Sequence, residues 1–577
     1  FVNELIQNQI LVSGLEPTVT GDEFFKRLVV ILKSLEHTKD ITEKLTQIQC
    51  LLQDQQTGTD KYLRAHAIVK SLLPATNNKD LVQTDFFLST EANSISACVV
   101  AEIQQHVEKL WALAKPNYNP DLENFIKTFL ERYEDQEVPF TLALDAESGI
   151  GYAGYSSGNA GNGVLVNDIF IKKETEIRNI AWTKMESFQL KKLYSCLQNN
   201  EHEIVLTDKD IDELKDPGTV SIPDSFYLMG SLLGGNAAAI DEGEFQFVLN
   251  ACGGPSGASL LGRFCHGDEK LLEKVRQHLA DEERQNPNMI YAEVVHLPEA
   301  RTGNVLMRPQ LREYEIVYLG NGSVAAENQI PATDLVIRIE NNAVVLRSKK
   351  LNKRIIPRLS TAHNFSVGNL PVYKFLCDLQ FQQLSPAVGW RWNLPGDESF
   401  LPRVSYGKII LSKCTWTLHK KNYPQLTEAK TNAGINYVKL VAEMQAALHL
   451  PAFIVIVEGD NELLIDLSNE SCIKILIDTL IKKEKIVLQE FLATEDQCFV
   501  DGENGKHTSE IIIPFKRLHI PQPNTVIAAD NFKTEIRNTP QRTFITGSEW
   551  LYLKIYCGTN SAERILKEVI NHVTEEL

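Results

Sequence analysis

Past Met289 the apolar residues of this chain alternate along short runs, Tyr291 to Leu297, Tyr314 to Leu319, Leu335 to Ile339 and Ala343 to Ser348, which is the period of half-buried strands. Ahead of that point helical spacing dominates, as in Ala97 to Ala114 and Leu122 to Tyr133, with strand-like runs at Thr84 to Leu88 and Glu242 to Cys252. Strands and helices follow one another without the regular strand-helix-strand beat of a doubly wound sheet. The expected class is therefore α+β, with several mixed sheets and packed helices. A length of 577 residues is too great for one simple core, so about three packed units are expected. No internal repeat is visible.

The start of the chain reads as helix, brief strand and two further helices. Val2 to Ile6 has helical spacing, Gln9 to Ser13 is β-prone, and the helices extend to Asp54. Because the chain opens at Phe1 in mid-pattern, an earlier segment is expected. Near the other end, Trp550 to Tyr556 alternates cleanly and is followed by a helix from Ser561.

Charge narrows the function classes. A net charge of -17 argues against a surface that binds nucleic acid throughout, so any polyanion site has to be a local patch. Such a patch exists between Arg338 and Arg358, where Arg338, Arg347, Lys349, Lys350, Lys353, Arg354 and Arg358 stand against Glu340 alone. A charged solvent face is the plain alternative. The ten cysteines form no C-x-x-C pair and no dense framework, which is cytoplasmic usage and disfavours a zinc site. No run of eighteen apolar residues and no signal-peptide order is present, so neither a membrane span nor that route of export is expected.

Several short stretches suggest chemistry and each has a structural alternative. Gly149 to Gly154 spells G-x-G-x-x-G, but the Gly, Ser and Asn of Tyr155 to Gly163 cannot open the helix that a dinucleotide loop requires. It reads as an ordinary loop. Gly253 to Gly257 joins a strand to a helix expected from near Ala258; it lacks the lysine of a phosphate loop and reads as a tight turn. His266 just beyond it is either a proton donor or a structural histidine. Arg301, Arg308 and Arg312 lie in or just after the block His296 to Pro309. Arginines in a loop between strands grip carboxylate or phosphate bidentately, or simply decorate a surface. Asp145 follows the apolar run from Val138 and either caps a turn or orients an arginine or a substrate hydroxyl.

Taken together these stretches resemble the class I lantibiotic dehydratases. The likeness rests on Glu137-Val138-Pro139 with Leu144-Asp145 and Gly149-Ile150-Gly151, on Leu261-Gly262-Arg263-Phe264, and on the His296 to Pro309 block. It continues through Ser348 to Leu351, Ile356 to Leu359, Ala362 to Phe365, Pro371 to Leu376, Phe400 to Val404 with Tyr406-Gly407, and Gly459-Asp460-Asn461. The resemblance implies transfer of glutamate from glutamyl-tRNA to serine and threonine hydroxyls of a ribosomal precursor peptide. That is the first step of dehydration to dehydroalanine and dehydrobutyrine. It implies Asp145, Arg301 and Arg308 as catalytic residues, and Lys349, Lys350, Lys353, Arg354 and Arg358 as the tRNA contact. Ile10, Leu11 and Val12 would add the leader peptide as an extra strand, unless they form a buried core strand.

The implied division is a partial winged-helix leader-recognition unit over 1–75, a glutamylation domain over 76–540, and the opening of an elimination domain over 541–577, with elimination itself expected to be missing. Glutamyl-tRNA is the co-substrate and no other cofactor or metal is implied, since the donor arrives activated. The resemblance also allows a homodimer and a cyclase partner, in the cytoplasm. Two other functions compete: a peptide aminoacyl-tRNA ligase, which has no reason to begin an elimination domain, and a non-catalytic leader-binding scaffold.

Overall fold

A computed structural model describes residues 5, 11, 13–54, 58–74, 81–87, 94–153, 182–215, 221–297, 303–366, 370–394, 398–426, 436–502, 505–517 and 548–555. The N-terminal part is a trio of helices, Phe24–Ser34, Lys39–Gln53 and Asp60–Leu72. Leu28 and Leu32 on the first and Leu45 and Ile48 on the second recur at helical spacing, and they meet Ala65 and Val69 in one small core. The strand that follows, Val82–Phe87, pairs antiparallel with Ser548–Ile555, so the alternating run near the end of the sequence returns to the N-terminal part.

Three larger sheets make up the rest. The first runs, in spatial order, Val138–Pro139, Leu335–Glu340, Ala343–Ser348, Lys353–Arg358, Met289–Val295, Tyr314–Val317 and Gln329–Pro331. Lys353–Arg358, Met289–Val295, Tyr314–Val317 and Gln329–Pro331 are mutually parallel, and the hairpin partners on the other side are antiparallel. One face carries Ile290, Ala292, Val294, Ile337, Val344 and Ile355 against the helices Pro120–Tyr133 and Pro371–Asp378. Phe125, Phe129, Tyr373 and Phe375 fill that layer. Asn119 starts the first of these helices two residues ahead of the expected point, because its side chain accepts from the Asp121 and Leu122 amides at 3.1 Å with Pro120 at the first position.

The second sheet contains Ser225–Leu233, Gln246–Gly253, Ile409–Ser412, Arg403–Tyr406, Glu203–Leu206 and Ile511–Lys516, with Ala387–Val388 on one of its strands. It packs on the helices Ala97–Leu110 and Lys184–Gln198. The third has Phe400–Leu401, Thr415–His419, Lys485–Glu490, Phe453–Glu458 and Asn461–Asp466, covered by Tyr437–Leu448 and Glu470–Lys483. The α+β expectation holds. Among the described residues no helix is long and apolar enough to cross a membrane.

One expected element is displaced. The helix placed near Ala258 instead begins at Glu269, and between them lies a single 3-10 turn, Gly262–His266. Asp268 sets the later start by accepting from the Lys270 and Leu271 amides, and Gly262 lets the preceding turn lie against the Ser360 carbonyl, a spot no Cβ can occupy. The helix expected from Ser561 lies outside the described residues.

Candidate functional site

The second face of the first sheet is charged. In the strand Met289–Val295 the positions Ile290, Ala292 and Val294 face the apolar layer, so strand alternation turns Tyr291 and Glu293 the other way, toward the helix Glu269–Arg284. Three arginines converge there on three carboxylates. Arg308 donates from Nε and Nη2 to Glu293 Oε1 at 3.0 and 2.7 Å. Arg312 reaches Glu283 at 2.6 Å, Glu282 at 3.3 Å and Glu293 at 3.6 Å. Arg358 reaches Glu282 at 3.3 Å and lies over the Tyr291 ring, 5.0 Å from its centre. Burial pushes the Glu282 carboxyl up, but Arg312 and Arg358 beside it hold it below its ordinary value.

Arg308 does more than pair. Its Nη1 donates to the Leu306 carbonyl at 2.6 Å and to the Val19 carbonyl at 3.4 Å, and its Nη2 also reaches the Val294 carbonyl at 3.1 Å. Its backbone amide donates to the Val19 carbonyl, and Thr20 and Arg308 form a parallel bridge. The segment leading into the N-terminal helices is thus tied to the first sheet through one guanidinium and its backbone.

Beside this tie is a cavity of about 500 Å3 whose wall includes Arg27, Val30, Cys265, His266, Met307 and Arg308. His266 comes from the 3-10 turn, and its Nδ1 sits 2.6 Å from the Arg263 carbonyl, an acceptor only, so Nδ1 carries the hydrogen. Its Nε2 lies 3.5 Å from Asp85 Oδ2, while Arg263 Nη2 donates to Asp85 Oδ1 at 2.8 Å. Asp85 is buried on the strand Val82–Phe87, 178 residues from Arg263 in sequence. Phe87 stacks edge-on against His266, and Gly267 permits this because a Cβ there would collide with the Phe87 ring. Arg263 keeps 28% of its side chain exposed while paired with Asp85, whereas Arg308 and Arg312 keep none. Cys265 is no nucleophile: burial pushes its thiol up to about 12.

The residues singled out from sequence fall in different places. Arg301 lies outside the described residues, as do Ile10 and Val12; Leu11 is described and exposed. Asp145 caps its own turn, its Oδ1 accepting from the Glu147 and Ser148 amides at 2.9 and 2.6 Å and from the Ser148 hydroxyl at 2.8 Å. Among the described residues no hydrogen bond or ion pair joins Asp145 to Arg308. Lys349, Lys350 and Lys353 are exposed and Arg354 is half-buried, but Arg358 is buried against Glu282 and does not share their surface. His296 is wedged between Tyr318 and Tyr373, and burial lowers it to about 4, so it is neutral.

Sequence reading passed over Asp85, Glu282 and Glu293. The available signal was clear only for Glu293, a carboxylate inside the otherwise apolar strand Met289–Val295, whereas Asp85 stands next to Gln83 and Thr84 in Val82–Phe87. A charge in such a place has to be paired.

Residues 1–476 match the family described as Lantibiotic dehydratase, N terminus. The chain belongs to that family. It is 22% identical to the subtilin biosynthesis protein SpaB of Bacillus subtilis over 98% of this chain and 54% of that protein. It is 24% identical to the epidermin biosynthesis protein EpiB of Staphylococcus epidermidis over 92% of this chain and 50% of that protein. For the nisin biosynthesis protein NisB of Lactococcus lactis subsp. lactis the figures are 22%, 98% and 54%. The chain therefore spans about half the length of the curated relatives it matches. Its fold is similar to that of the tRNA dependent lantibiotic dehydratase MibB from Microbispora sp. 107891, with a TM-score of 0.67 at 18% identity over 89% of this chain and 50% of that one. It is also similar to the glutamylation domain TbtB from thiomuracin biosynthesis, solved bound to 5'-phosphodesmethylglutamycin, with a TM-score of 0.54 at 15% identity over 85% of this chain and 63% of that one.

Proposed function

We propose that this lantibiotic dehydratase chain transfers glutamate from glutamyl-tRNA to serine and threonine hydroxyls of a ribosomal precursor peptide. The observation that carries the reading is the Asp85, Arg263 and His266 cluster beside an open cavity, within a chain of this family whose structural relatives are a tRNA dependent dehydratase and a glutamylation domain.

In this reading the peptide hydroxyl oxygen forms a bond to the glutamyl carbonyl carbon, and the ester bond to the terminal ribose of the tRNA breaks. The hydroxyl proton passes to the departing ribose oxygen, so the exchange leaves no net charge, and His266, whose Nε2 is turned inward to Asp85, shapes the wall of the cavity. Asp85 holds Arg263 and His266 in place, and the exposed part of the Arg263 guanidinium is the proposed partner for the negative charge that grows on the carbonyl oxygen. Ester for ester exchange needs no further activation, so no metal or organic cofactor enters the scheme.

Lys349, Lys350, Lys353 and Arg354 are the proposed contact for the RNA backbone, at the turn between two strands of the first sheet. The proposed division is a leader-recognition part over 1–75, the glutamylation part over 76–540, and a further part from 541. Mass spectrometry of the precursor peptide after incubation with glutamyl-tRNA and this chain tests the reading. A gain of glutamyl mass on serine or threonine, abolished by Arg263→Ala and by His266→Ala, is the expected result. Mass gain that survives both substitutions would remove the cluster from the reaction, and no gain with wild-type chain and matched peptide overturns the function.

A further inference from the structure

Three cations line the cavity, Lys26, Arg27 and Arg308, beside three acids, Asp22, Glu23 and Glu269. Arg308 is fully committed to Glu293 and to backbone carbonyls, and Lys26 pairs with Glu23 at 3.4 Å. Arg27 is different. It projects from the flank of the helix Phe24–Ser34, between the buried Phe25 and Leu28, is half-buried, and has no hydrogen bond or ion pair from its side chain among the described residues. The remaining acids at the rim, Asp22 and Glu269, are exposed to water and screened by it. The half-buried Arg27 shares the cavity wall with Ile31 and Met307, an arrangement that favours an incoming oxyanion.

We propose that Arg27 is the anion clamp of this cavity, gripping an oxyanion group of the acyl donor: the side-chain carboxylate of the glutamyl group or a phosphate near the RNA end that carries it. The inference rests on the glutamyl-transfer reading and adds a specificity-determining residue to it. Arg27 sits on the N-terminal helices while His266 sits on the 3-10 turn, so the clamp and the Asp85, Arg263 and His266 cluster reach the cavity from separate parts of the fold.

The test compares wild type, Arg27→Ala and Arg27→Lys in the full chain, with glutamyl-tRNA, the same tRNA misacylated with glutamine, and uncharged tRNA. Binding is measured without peptide and transfer with it. Loss of a charged, bidentate hydrogen bond predicts that Arg27→Ala weakens glutamyl-tRNA about 10- to 100-fold through KM with kcat little changed, and that Arg27→Lys recovers only part of this. If the carboxylate is the ligand, wild type prefers the glutamyl over the glutaminyl donor, Arg27→Ala erases the preference, and uncharged tRNA binds both alike. If a phosphate is the ligand, uncharged tRNA is weakened by the same factor and the salt dependence of binding becomes shallower. Equal affinity and KM for all three proteins, with wild-type transfer intact, overturns the clamp and leaves the function standing. Arg27-dependent binding without any transfer in wild type keeps the clamp and removes the function.

Discussion

Replacing Arg308 with methionine should destabilise this protein far more than removing any exposed arginine, and the structure indicates why. Arg308 is 1% exposed and Glu293 2%, with nitrogen to oxygen distances of 2.7 and 3.0 Å. Methionine preserves most of the side-chain volume but leaves Glu293 ionised beside Arg312 at 3.6 Å and the Ser360 amide at 2.6 Å, and strips donors from the Leu306 and Val294 carbonyls. Breaking one side of a buried pair costs about 3–5 kcal/mol. With a urea dependence of about 2–3 kcal/mol per molar, the midpoint of the transition involving the first sheet should fall by about 1–2 M. Glu293→Met together with Arg308→Met removes the stranded charge and should recover about half or more of that loss, because a buried pair replaced by apolar side chains is often close to neutral. Urea melts of the two single variants and the double variant, followed by tryptophan fluorescence, supply the cycle. Hydrogen exchange at Val19 and Thr20 adds a local readout, since Arg308 holds that segment. A loss under about 0.5 kcal/mol for Arg308→Met, or a double variant as weak as the sum of the singles, would refute the reasoning.

Other outcomes follow from the same structure. Gly267→Ala should push Phe87 off His266 and lower glutamyl transfer at least about tenfold, with a stability loss of about 1–3 kcal/mol measured by urea melt. Asp145→Asn retains the turn-capping oxygen and should transfer glutamate at close to the wild-type rate, whereas a drop of about a hundredfold would place its charge in the reaction. His296 titrates near 4 when folded and near 6.5 when unfolded. Its contribution is therefore complete above pH 6.5 and is lost as pH falls toward 4, an interval worth about 3 kcal/mol, and a His296→Phe variant should show a flatter stability profile between those values. Glu282, held below its ordinary value, adds stability above about pH 4.5 that disappears on further acidification, so Glu282→Gln should lose the acid limb of the melt below that point.

Strand alternation alone located Ala343–Ser348 to the residue and the neighbouring strands to within two or three, because period-two patterning is a local property of the chain. Local capping decided what periodicity missed: Asn119 set one helix start, and Asp268 delayed another from Ala258 to Glu269. The motifs around Arg263 and from His296 to Pro309 were legible as family likeness, and the match over residues 1–476 agrees with it. Their partners were not legible. Arg263 meets Asp85 across 178 residues, and Arg308 meets Val19 across 289. Alternation says that Tyr291, Glu293 and Arg358 share a face but not what covers it, and only the helix Glu269–Arg284 packed on that face turns Arg358 from a surface cation into a buried partner of Glu282. The sequence by itself determined the α+β class, the strands of the first sheet and the family. The tertiary structure decided which charges are spent holding the fold, Arg308, Arg312 and Arg358 among them, and which keep exposed surface, as Arg263 does, because burial and pairing depend on segments far apart in the chain.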